Sequence, residues 1–379
     1  MNTVTKNILL SFTVLLATNI SATQIDKTKI TSNQIQQTSV TNIKRQIAKE
    51  IAVNYSIQSE IFKDNISYNN LTISSDLLQS SALSKRLQLK ERNNAISVLK
   101  GFKLAQSNLV QLRLADNLMI DALNKGKEPL FAFEPAGNDK YWKEIEAFDT
   151  QGNLHILDVV TLPTHPTFIV ELDTNKTLKA GLSVMRSILK SQSANLKTLN
   201  STSQDKPIST SVLKKIRLND DEEPWISGNA EVYGIVTGVN PSRDEPVLDI
   251  IDMPYLDTDN KDYHPNQIII HWERYRWQAA DMILMEQDDN TNYKTLASKL
   301  LEIAEQVMKT IPDPEVQGYA IIPKLTNELL KAMPDDWFTN DDDYLDVFYT
   351  LFEDTHYSSH YGASTNAKVT IEPLTIDPR

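Results

Sequence analysis

Cysteine is absent from the 379 residues. Disulfides, thiolate metal sites, thiol nucleophiles and a lipidated N-terminal cysteine are therefore excluded. An exported chain without disulfides must take its stability from its core, from bound ions, or from both. Glycine is scarce too, with ten in the whole chain. They are too scattered to build a Gly-x-Ser-x-Gly elbow, a phosphate-cradling loop or a dinucleotide-binding fingerprint. Positive charge is in deficit: 38 Lys and Arg stand against 50 Asp and Glu, a formal charge of −12. That field repels nucleic acid and anionic lipid, and it suits a solvated surface or carboxylates gathered around cations.

Long apolar runs are missing as well, with one short exception. Lys6 precedes the ten-residue run Ile8 to Ala17, and Ile20-Ser21-Ala22 offers a small-residue cleavage site. The run falls short of the roughly 18 to 20 residues that a spanning helix needs. Residues 1–22 are thus expected to be a signal peptide and the product to be exported, periplasmic or extracellular, without a transmembrane anchor.

What is present describes a globular α+β protein: 40 % hydrophobic and 23 % charged residues, long enough for two domains. Residues 23–39 are polar and read as a flexible tail. Residues 40–190 are expected to form an α+β domain. It opens on a helix with Ile43, Ile47 and Ile51 at four-residue spacing. A long helix is expected from about Asn94 to Leu123, and a β-hairpin around Asp149 to Asn153. Residues 191–211, rich in Ser, Thr, Asn, Gln and Lys, read as a linker. Residues 212–379 then read mainly as strands, interrupted by one helix over about Tyr293 to Met308.

The chemistry-bearing residues gather at strand ends in this second half. Asn219-Asp220-Asp221-Glu222-Glu223 follows the strand Val212 to Leu218, and Glu286-Gln287-Asp288-Asp289 ends the strand Asp281 to Glu286. Calcium takes six to eight oxygen ligands, mostly carboxylates and carbonyls, from flexible loops. Two acidic loops at one end of a sandwich would supply them.

The order of strand, acidic loop, Glu231 to Val236 strand and later Met282 to Asp289 resembles the C2-type calcium-dependent domain. Tyr263 to Gln267 with Trp272 is similar to its Asn-Pro-x-Trp segment. The resemblance implies an antiparallel β-sandwich, here with an inserted helix, and calcium held by Asp220, Asp221, Glu286, Asp288 and Asp289. It departs in placing Glu286 where an aspartate is usual. The block Pro254 to Asp257 through Met285 to Lys294 also resembles an uncharacterised family of exported bacterial proteins, which implies no activity.

Other features carry less. Asp257 to Asp262 begins like an EF-hand loop, but Asp262 stands where that loop needs glycine, so a solvated turn is expected. Asn340 to Asp343 is either a polar strand start or a third contributor to an ion site. His356 and His360 would share a helix face as a zinc pair, yet the glutamate of a metalloprotease helix is missing, and surface histidines are expected. Trp272, Tyr275, Arg276 and Trp277 form either a lipid- or glycan-contacting platform or core packing, and packing is preferred. The expectation is a calcium-ordered binding module for an unidentified ligand, lipid or glycan among the candidates. A secreted hydrolase using carboxylates or the histidine pair stands second, and an ion-free interaction protein third.

Overall fold

Ser39 accepts a hydrogen bond from the Asn42 backbone N–H at 3.1 Å and caps helix α1 (Val40–Asn54). The computed structural model describes residues 39–57, 59–137, 141–193, 206–220, 224–228, 231–241, 245–287, 289–310, 317–332 and 344–377. The expected signal peptide and nearly all of the expected tail lie outside these. Ile43, Ile47 and Ile51 line one face of α1 and are buried, as their spacing predicts. After α1 come helix α2 (Ser59–Asn65), the short strand β1 (Thr72–Ile73) and helices α3 (Ser75–Ser80), α4 (Leu83–Arg86) and α5 (Leu89–Leu99).

The long helix expected over Asn94 to Leu123 is not formed. Helix α5 stops at Leu99, Gly101 turns the chain at φ +73°, and strand β2 (Val110–Leu114) follows before helix α6 (Ile120–Asn124). In Val110-Gln111-Leu112-Arg113-Leu114 the apolar residues are buried and the polar ones half-buried. That period of two is a strand pattern, and merging it with the helical leucines on either side hid it.

Strands β3 (Leu130–Phe133), β4 (Glu144–Phe148), β5 (Leu154–Asp158) and β6 (Thr167–Leu172) complete a six-stranded sheet of order β1-β2-β6-β3-β4-β5. The β4–β5 hairpin is the expected one, and only β3 and β6 run parallel. One face packs under α1 and α2, where Tyr55, Phe62, Phe131 and Phe168 meet with ring centroids 5.0–5.9 Å apart.

Helix α7 (Thr174–Ser193) leads to eight further strands: β7 (Ile208–Leu218), β8 (Val232–Val239), β9 (Pro246–Asp252), β10 (Gln267–His271), β11 (Ala279–Glu286), β12 (Tyr344–Phe352), β13 (Tyr357–Tyr361) and β14 (Ala367–Ile376). Helices α8 (Tyr293–Thr310) and α9 (Ile321–Ala332) lie between β11 and β12. The strands form two four-stranded antiparallel sheets, β10-β7-β14-β13 and β12-β11-β8-β9. The two share one apolar core, with Leu213 and Val369 from one sheet meeting Val236, Met282 and Phe348 from the other. The opposite face of the second sheet carries the helices α7, α8 and α9.

Where one inserted helix was expected there are two, and α9 is fastened by buried Ile321, Ile322, Leu325 and Leu329. Segment Tyr357–Tyr361, which carries His360, is strand β13. The packing also crosses the expected boundary at 191–211. Strand β7 begins inside it, and Leu178, Leu182, Met185 and Leu189 of α7 belong to the core of the second half. Gly181 lies against the Tyr293 ring, where any β-carbon would collide, so α7 and α8 close tightly there. In return, Ile226 from the second half is buried against the outer face of the six-stranded sheet. Thr38–Arg379 form one compact unit.

Candidate functional site

The residues expected to hold calcium separate in the structure. Asp220, just past β7, is exposed, and its backbone N–H and C=O exchange hydrogen bonds with the Asn366 side chain, both at 3.0 Å. Asp221 and Asp288 lie outside the described residues, as do Asn340 to Asp343. Glu286 closes β11 and is only 4 % exposed. Asp289 faces a lysine: its carboxylate stands 2.7 Å from Lys44 Nζ, which also holds Glu134 at 2.5 Å. Burial alone would lower the affinity of Lys44 for its proton. The carboxylates of Asp289 and Glu134 reverse that and raise it. Burial likewise pushes Asp289 up, but Lys44 and Lys100 outweigh it and hold the carboxyl below its ordinary range. Among the described residues, no three His, Asp or Glu side chains come together as a metal site.

The loop that carries Asp289 has a structural duty. The Asn292 side-chain amide donates to Leu99 O at 2.6 Å, and its Oδ1 accepts from the Thr295 N–H at 2.9 Å. The Tyr293 N–H donates to Lys100 O at 3.1 Å. Helix α8 thus starts from an asparagine cap pinned to the end of α5. These bonds and the Lys44 cluster tie the six-stranded sheet and its helices to the second half.

A second buried carboxylate lies on β11 itself. Asp281 is fully buried; its Oδ1 accepts the Thr350 N–H at 2.7 Å, and its Oδ2 has no partner among the described residues. Thr326 of α9, bonded to Thr237 at 2.6 Å, lies beside it. Burial pushes this carboxyl up to about 6, only partly opposed by the bonds from Thr350 and Thr326.

The histidines do not form a helix-face pair. His356 is exposed in the turn before β13, while His360 lies within the strand beside Tyr357 and Phe348, with ring centroids 5.1 and 6.0 Å away. The aromatic group divides as packing requires. Trp272 and Tyr275 are core residues, and Trp277 packs half-buried with the Arg276 guanidinium 4.9 Å over its ring. Segment Asp257 to Asp262 is a turn held by Tyr263 Oη to Asp257 at 2.6 Å and Lys215 to Asp262 at 2.7 Å.

A concave arrangement of apolar and polar side chains stands elsewhere, at the open flank of the two facing sheets. Strands β9 and β10 are the flanking edges of their sheets, and α7 runs alongside β9. Between them is a cleft of about 190 Å³. Leu189, Leu248, Ile250, Ile268 and Ile269 supply apolar wall; Arg186 and Lys190 of α7, with His271 and Arg274, supply polar rim. Arg274 pairs with Asp249 at 2.9 Å, and the other oxygen of Asp249 accepts from Tyr275 Oη at 2.7 Å. Burial and that aspartate raise the Tyr275 hydroxyl well above its usual range, so it stays a donor.

Reading the sequence for carboxylates and histidines missed this cleft. One signal was available: Arg186 and Lys190 stand four apart, the spacing that puts two side chains on one face of a helix. What faces them comes from strands 58 or more residues away.

Fold and cleft together describe an α+β protein with one six-stranded sheet, two facing four-stranded sheets and a small apolar cleft with a basic rim. Residues 44–379 match the model of a family described as a protein of unknown function (DUF3103), and the chain belongs to that family. No curated protein and no solved structure matches it. Among the described residues, no helix is long and apolar enough to cross a membrane.

Proposed function

We propose that this chain is an exported binding protein whose ligand enters the cleft between β9, β10 and α7. One observation carries the reading: a concave apolar surface and several convergent polar side chains from three separate elements meet there. That combination is the general form of a small-molecule site. Ile268, half-buried on the wall, allows a direct test. Ile268→Trp fills the cleft from its edge, and the melting-temperature rise that a bound small molecule gives the native protein should disappear in it. Ligands that stabilise the variant as well as the parent would remove the cleft from consideration.

A second reading keeps calcium, and with it the C2-like character, in reduced form. Leu218 at the end of β7 pairs with Ala367, whose N–H donates to Asp346 at 2.7 Å, and Asp346 pairs with Leu284 near the end of β11. The two acidic loops therefore leave the facing sheets at the same end. An ion there would draw on Asp220, Asp221, Glu286 and Asp288, while Asp289 stays with Lys44. Calcium should then raise the melting temperature, and Asp220→Asn/Asp221→Asn should abolish the rise. Equal melting in calcium and in chelator would end this reading.

A further inference from the structure

Resting on the binding reading above, we infer that the cleft takes a small organic anion: one oxyanion head on a short aliphatic body. Charge is the first argument. In a chain of formal charge −12, the cleft brings Arg186, Lys190 and Arg274 to one rim. Asp249, the acidic residue of that lining, is committed on both oxygens, to Arg274 and to Tyr275. Arg186 and Lys190 have no carboxylate partner among the described residues, so two positive charges of the rim stand without a described counter-charge. Such a pair, beside low-dielectric walls, favours an anion with hydrogen-bond acceptors, because charge-assisted bonds from a guanidinium fork are the strong ones.

The edge of β9 also disfavours a peptide laid along it. Asn240 N–H donates to Glu245 O at 2.8 Å, so the odd-numbered residues of β9 bond to β8 and the even-numbered ones face outward. Two of the outward carbonyls are covered. Ile250 O accepts from Arg186 Nη2 at 3.3 Å, and Asp252 O from the Gln267 amide at 2.9 Å. An edge with these carbonyls occupied is a poor template for an added strand. Arg186 also gains a fixed position, with its remaining donors left for a ligand.

Size is the second argument. About 190 Å³ equals the bulk volume of about six waters at about 30 Å³ each. That suits a head group with a few methylenes, not a whole lipid or an oligosaccharide. The head would meet Arg186 and Lys190, and the aliphatic part would lie on Leu248 and Ile268.

Calorimetric titration of the purified chain with hexanoate, hexan-1-ol and acetate tests this. Hexanoate is expected to bind at least tenfold more tightly than either of the others, since only it carries both head and body. Lys190→Met, at an exposed helix position, and Arg186→Met should each weaken hexanoate at least fivefold and leave hexan-1-ol unchanged. Unaltered melting of Lys190→Met provides the folding control. Equal binding of hexan-1-ol and hexanoate would overturn the anion while leaving the cleft as a binding site. Binding of none of the three would overturn both, and acetate matching hexanoate would show a bare surface anion site and overturn the aliphatic part.

Discussion

Asp281 and Asp289 stand eight residues apart on one strand and the loop that follows it, and they answer burial in opposite ways. Asp289 has Lys44 at 2.7 Å, and its carboxyl is held below the ordinary range. Asp281 has backbone and hydroxyl donors but no cation, and its carboxyl rises to about 6. Desolvation penalises both anions; a buried ammonium reverses the sign where neutral donors only soften it. Hence an acidic residue in sequence announces neither a metal ligand nor a proton donor. The partner that folding brings decides.

The largest way to break this contrast is to remove the cation. Lys44→Met should cost about 3–5 kcal/mol, because it removes the cation shared by two largely buried carboxylates and leaves only Lys100 to offset Asp289. Urea denaturation would show it, and a loss under about 1 kcal/mol would mean that water already compensates the cluster. Acid should act in the same direction on the parent protein. The folded Asp289 carboxyl lies below its unfolded value, so its contribution is present above about pH 4 and is lost as pH falls further.

Asp281 should give the opposite sign. Its folded carboxyl, at about 6, lies above the unfolded value of 3.8, so its contribution is complete below about pH 4 and is lost as pH rises through 6. Asp281→Asn should therefore stabilise the protein at pH 7.5, by about 2–3 kcal/mol from the size of the displacement. The advantage should vanish near pH 3.5. An advantage of the same size at both pH values would show that shape, not charge, explains it.

Exposure sets the smallest expectation. Arg45 and Glu146 pair at 2.6 Å, as closely as Lys44 with its acids, but their side chains are 42 % and 37 % exposed. Arg45→Gln should cost less than about 1 kcal/mol, and that loss should fade in 0.5 M salt. A cost comparable with that of Lys44→Met would mean that burial does not set the strength of these pairs.

Local pattern made parts of both halves legible. Segment Gln267–His271 and the β4–β5 hairpin were readable because alternation and turn residues are properties of neighbouring positions. Strand β2 was lost because leucines of helices on both sides extend an apparent helical period through it. Helix α9 was overlooked although Ile321, Ile322, Leu325 and Leu329 keep a helical spacing. For the candidate sites, sequence could show where carboxylates cluster but not what faces them. Lys44 lies 245 positions from Asp289, and Arg186 lies 64 from the carbonyl of Ile250.

By itself the sequence determined the α+β class, the freedom from disulfides, the acidic charge and most strand positions. Each follows from composition or from the period of apolar residues along a few turns or a few strand residues. Tertiary structure decided that α7 belongs to the core of the second half, that Asp289 pairs with a lysine, and that a basic-rimmed cleft opens between β9 and β10. Those depend on which distant segments bury one another's apolar faces, and a charge acquires its role only from the groups that this burial sets beside it.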